Sequence, residues 1–120
     1  MRYFIALVFV VACAPLAGAH AFLDHAEPKV GGVVESSPAE VKIWFTQDVS
    51  AKESRLKVFD AKGDEVDRKD AHRDPKNHSL LVATLSALPA GEYQVRWEAV
   101  CLLGHHTSGK FMFKVKTKDR

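Results

Sequence analysis

The sequence predicts an all-β protein, a two-layer sandwich of antiparallel strands. Three observations predict it. Apolar residues recur at every second position in several short runs, turn formers separate those runs, and no stretch sustains the three-to-four-residue apolar spacing of a helix.

In chain order, Val41, Ile43 and Phe45 alternate with Lys42 and Trp44, which places the first set on one face of a strand. Leu56 and Val58 mark a second strand and Leu80 to Leu85 a third, more continuously apolar one. Tyr93, Val95, Trp97 and Ala99 alternate with Gln94, Arg96 and Glu98. The strongest alternation is the last, with Phe111, Phe113 and Val115 set against Lys110, Met112 and Lys114. Between the runs lie Pro28 to Gly32, Ala61-Lys62-Gly63-Asp64, Asp74-Pro75-Lys76-Asn77 and Leu88-Pro89-Ala90-Gly91, each rich in residues that pre-set or relax backbone torsions. The charged stretch from Asp60 to Asn77 is expected to be a solvated loop or hairpin on one edge.

Residues 1–19 have the pattern of an export signal: Arg2, an apolar run from Phe4 to Cys13, and the small-residue exit Ala17-Gly18-Ala19. An apolar run of about ten residues is half of what a membrane span needs. Cleavage after Ala19 makes His20 the first residue of a single domain over residues 20–120. A second reading of the same segment is a lipobox, Val10-Val11-Ala12-Cys13, in which Cys13 is lipidated and becomes the terminus. Loss of the leader removes Arg2, its one charged residue, and leaves 16 basic against 15 acidic side chains. So even a balance argues against a nucleic-acid partner. It also removes Cys13, so Cys101 stands alone and no internal disulfide can form. Cys101 is expected to be a small buried residue closing the Trp97 strand.

The six histidines, His20, His25, His72, His78, His105 and His106, all follow the leader. His72 and His78 fall in the charged stretch and read as exposed polar residues. An N-terminal His20 offers two nitrogens, the α-amine and ring Nδ1, which can close a chelate ring on a metal ion. Copper(II) heads the divalent affinity order and favours square-planar nitrogen and oxygen sets. His105 or His106, in a turn between two strands, can add a third nitrogen. With Met112 the one methionine after the leader, a methionine-rich Cu(I) site is not expected. No activated nucleophile or phosphate loop is present, so no enzymatic activity is expected.

These residues resemble the bacterial copper-resistance CopC family. The opening His20-Ala21-Phe22-Leu23 with Pro28, the run from Pro38 to Phe45, and Leu88-Pro89-Ala90-Gly91 with Tyr93, Val95 and Trp97, then His105, Gly109, Phe111, Phe113 and Val115, carry the resemblance. It implies a seven-stranded Greek-key sandwich of the immunoglobulin/cupredoxin-like kind, a periplasmic location, and Cu(II) as cargo in copper resistance. It also implies that a membrane protein of the CopD type is a partner, and the domain is expected to be monomeric. The resemblance implies three ligand positions: the terminal histidine, a histidine in the last hairpin, and an aspartate two residues before it. Here the segment reads Cys101-Leu102-Leu103-Gly104-His105, so Leu103 occupies the aspartate position. Another acidic position used by some members is Gln47, followed by Asp48. The metal ligands expected are therefore His20, His105 and His106. The competing expectation is a sandwich that has lost tight copper binding and serves as a protein-interaction module.

Overall fold

The computed structural model describes residues 20–117; the expected leader and its two alternative cleavage sites lie outside them. Eight strands form two four-stranded sheets. The first sheet is ordered β1 (Leu23–Glu27), β3 (Glu40–Phe45), β6 (Leu80–Thr84), β5 (His72–Arg73). The second is ordered β2 (Val33–Val34), β8 (His106–Val115), β7 (Gly91–Val100), β4 (Arg55–Phe59). The chain therefore changes sheet at most of its connections, and the partners β3·β6 and β4·β7 are remote in sequence.

The all-β sandwich is as the alternation predicts, and the strand number differs. The resemblance implies seven strands; the described residues form eight, two of which, β2 and β5, are only two residues long. No period can be read from two residues. Val41, Ile43 and Phe45 point inward from β3, facing Leu56 and Val58 of β4, Val95 of β7, and Phe111, Phe113 and Val115 of β8 in one core. Strand β6 lies between β3 and β5 and is buried on both faces, which accounts for its continuous apolar run. The Asp60–Asn77 stretch is mostly exposed, as expected, but not wholly a solvated loop. Asp67 is buried, and its carboxylate accepts the backbone N–H of Val58 at 2.8 Å and of Lys69 at 3.1 Å. This caps a donor on the outer edge of β4 that would otherwise lack a partner.

The β7–β8 hairpin is the element that positions the site. Its ten-residue strands pair from Gly91↔Val115 to Val100↔His106 without a break in register. Gly109 lies opposite Trp97, where an added Cβ would come within 2.6 Å of the indole. Its lack of a side chain lets Trp97 fold onto the core, edge-on to Phe45 with centroids 5.2 Å apart.

Candidate metal centre

The segment leading out of His20 is docked rather than free. Ala21 is fully buried, and its carbonyl accepts a hydrogen bond from the Thr107 hydroxyl of β8. The Phe22 N–H donates to Thr46 Oγ1 at 3.0 Å, and the Thr46 N–H returns a bond to the Phe22 carbonyl at 2.8 Å. Two threonines, one just after β3 and one in β8, thus clamp the stem of His20. Thr107 and Thr46 were not singled out by the sequence reading. One signal was available: Thr107 shares the inward face of β8 with Phe111, Phe113 and Val115, where a polar side chain needs a partner.

On the other side, the five residues Cys101–His105 close the hairpin. The Cys101 N–H donates to the His105 carbonyl at 3.0 Å and the Gly104 N–H to the Cys101 carbonyl at 2.9 Å. Gly104 has φ of +87°, a left-handed torsion that a side chain would strain. Cys101 is buried, as expected, and bridges to Val49 at the base of the loop.

These two anchorings bring His20 and His105 together, with ring centroids 4.8 Å apart and planes at 76°. Phe22 flanks the pair, 6.0 Å from the His20 ring. His20 and His105 are thus the expected ligand residues that the structure brings together.

His106 is not brought into this pair. Alternation along β8 turns it to the outer face, where Nδ1 is 3.4 Å from Glu98 Oε2. Glu98 pairs across the hairpin with Ser108, so the His106 contact is a diagonal one on the solvent side. His25 is also held elsewhere, stacked on Trp44 at 4.4 Å and bonded through Nδ1 to Asp24 at 2.7 Å. His72 and His78 are exposed, as expected. Leu103 is 75% exposed and Leu102 65%, both in the turn just before His105. Among the described residues, no group of three or more His, Cys, Asp or Glu side chains is arranged to hold a metal ion.

A family profile described as the CopC domain matches residues 23–116. The chain belongs to the CopC family. The solved CopC from Methylosinus trichosporium OB3b superposes with a TM-score of 0.78 at 28% identity, over 84% of this chain and 98% of that one. PcoC, a methionine-rich copper resistance protein from Escherichia coli, superposes with a TM-score of 0.71 at 25% identity, over 81% and 99% respectively. Among characterised sequences, the copper transport protein CutJ of Bacillus subtilis is 30% identical over 98% of this chain. This chain spans only 22% of CutJ's length. Protein YobA of Escherichia coli is 29% identical over 97% of this chain and 94% of its own length.

Proposed function

We propose that this CopC-family protein is a periplasmic copper carrier or buffer, exported by a cleaved leader and binding Cu(II) through His20 and His105. The observation that carries the reading is the facing of these two imidazoles at 4.8 Å, on stems fixed by Thr46, Thr107 and the Cys101–His105 loop. Cleavage after Ala19 adds the His20 α-amine. Amine and ring Nδ1 then chelate one ion, and His105 supplies a third nitrogen; water fills the remaining equatorial position. His106, tied to the outer face beside Glu98, is left out of the set. The protein performs no turnover in this reading. Copper passes to or from a membrane protein of the CopD type, in keeping with CutJ, where a domain like this is part of a copper transport protein.

A second reading, a sandwich that keeps the fold but not tight copper binding, is favoured by one observation. No third His, Cys, Asp or Glu side chain joins the pair among the described residues, and Leu103 stands exposed where the family resemblance calls for aspartate.

Mass spectrometry of the exported protein, followed by Cu(II) titration read by electron spin resonance, decides between them. The carrier reading expects a terminus at His20 and one tetragonal, nitrogen-rich Cu(II), with affinity falling at least about 100-fold in His20→Ala and in His105→Ala. His106→Ala is expected to leave the spectrum unchanged. Absence of Cu(II) binding at micromolar metal by a folded protein starting at His20 would establish the second reading instead.

A further inference from the structure

The outer face of the second sheet is charged in a way that the fold does not use. Lys57 of β4 pairs directly across with Arg96 of β7, and Arg96 with Lys110 of β8, so three cations stand in one row over three strands. All three are exposed, and none makes an ion pair among the described residues. Directly opposed side chains lie about 5 Å apart at Cβ, and like charges so placed oppose folding. The two acids of this face do not relieve the row. Glu92 lies opposite Lys114, and Glu98 lies opposite Arg55 and 3.4 Å from His106.

Arg96 is held in place. Its guanidinium carbon lies 4.3 Å from the centre of the Phe59 ring, and its Nε donates to Gln94 Oε1 at 2.6 Å. Nη1 and Nη2 make no hydrogen bond among the described residues, which leaves them to take the oxygens of a phosphate or carboxylate.

Charge is also segregated across the domain. The outward side chains of β4, β7 and β8 include five basic and two acidic residues. Residues 20–120 carry 16 and 15 in all, so the rest of the domain has 11 basic against 13 acidic. A nearly neutral protein thus presents one positive face, which an anionic plane would attract and orient. The centre of a protein–protein interface is depleted of charge and rich in aromatic side chains. Here the centre is three cations, and the one phenyl ring of the face, Phe59, lies beneath Arg96. A layer of lipid phosphates needs no apolar core to bind a basic cluster.

We propose that this face docks on the anionic phospholipid surface of a membrane, with Lys57, Arg96 and Lys110 against the lipid phosphates. The docking goes beyond copper carriage and does not depend on it, because neither His20 nor His105 belongs to the row. It would hold the domain beside a membrane partner.

The test is cosedimentation of the metal-free exported protein, its leader removed, with vesicles of mixed phosphatidylcholine and phosphatidylglycerol at low salt. Binding is expected to the mixed vesicles, not to pure phosphatidylcholine, and is expected to be lost at about 0.5 M salt. Lys57→Gln combined with Lys110→Gln should weaken partitioning roughly 25-fold, since each cation near such a surface contributes about fivefold. Lys42→Gln combined with Lys76→Gln removes the same charge from outside this face and should change partitioning by less than about twofold. All four lysines reach the surface, so both double variants should fold.

Failure of the wild-type protein to bind the mixed vesicles at low salt would overturn the proposal. So would equal binding to pure phosphatidylcholine, or equal losses in the two double variants. Binding to soluble polyglutamate but not to vesicles would overturn it too, and would assign the row to an acidic protein instead. None of these results bears on the copper reading, which the spin-resonance titration tests separately.

Discussion

The two ends of the β7–β8 hairpin are built on opposite terms. At the Gly91 end, Tyr93 is buried, stacks on Phe113 with centroids 5.5 Å apart, and donates its hydroxyl to the Pro89 carbonyl at 2.5 Å. Leu88 is buried there too, and its N–H reaches Ser37 Oγ at 2.8 Å. Burial also pushes the Tyr93 phenol above its ordinary range, so this group stays neutral through physiological pH. At the Cys101–His105 end the turn leaves two leucines and a histidine in solvent. One end spends its side chains on closing the core, and the other presents them. The covered end carries buried contacts, and the exposed end leaves its side chains accessible.

The largest expected effect breaks the covered region. Phe113 is 2% exposed and lies in the centre of the core, so Phe113→Ala should cost about 3–5 kcal/mol of unfolding free energy. Urea denaturation would measure it, and a loss below about 1 kcal/mol would mean that β8 is not the spine of the core. By contrast His105→Ala, at an exposed loop position, should change stability by less than about 0.5 kcal/mol while abolishing most copper affinity. Stability and binding are thereby separable along one hairpin.

An intermediate effect sharpens the boundary between the two regions. Thr107 is half-buried and ties the Ala21 carbonyl to β8, so Thr107→Val keeps the shape of the side chain and removes the clamp. The expected cost is about 1 kcal/mol in stability. Cu(II) affinity should fall about tenfold as well, because His20 then has to be ordered on binding rather than beforehand. A variant that loses stability but no affinity would show that the stem's docking does not position His20.

This gradient between the regions also explains what could be read from the sequence. Strands β3, β7 and β8 were legible because each buries one face, which imposes a period of two on Val41-Ile43-Phe45 and Phe111-Phe113-Val115. Strands β2 and β5 were not, since two residues carry no period; β2 pairs Val33 with the remote Lys114, and β5 pairs His72 with Val82. The site followed the same division. The opposite facing of His105 and His106 was foreseeable from strand alternation, and the structure places His106 with Glu98. That a turn histidine, His105 or His106, could join His20 was offered from the residues, and the family resemblance pointed to a histidine of the last hairpin, because no local pattern spans 85 residues of chain. The threonine clamps required knowing which face of β8 meets the first residues of the domain.

The smallest expected effect lies beside the edge strand β5 of the other sheet. Asp70 accepts the Thr84 hydroxyl at 2.5 Å and the Thr84 N–H at 2.9 Å, and these bonds, the hydroxyl foremost, hold its carboxyl below the ordinary carboxylate range. A carboxyl whose folded-state value is depressed contributes stability that is present above its unfolded value of about 4 and is lost as pH falls through the folded value. Asp70 is exposed, so solvent screening keeps the contribution below about 1 kcal/mol. Asp70→Asn should therefore lower the urea midpoint slightly and by a constant amount between pH 6 and 8 (an interval of about two units well above the carboxylate range). The gap should narrow below about pH 4 and vanish below the depressed folded value, where the wild-type carboxyl itself becomes neutral. A gap that persists unchanged to about pH 3 would mean that Thr84 is held by packing of β6 rather than by the charge on Asp70.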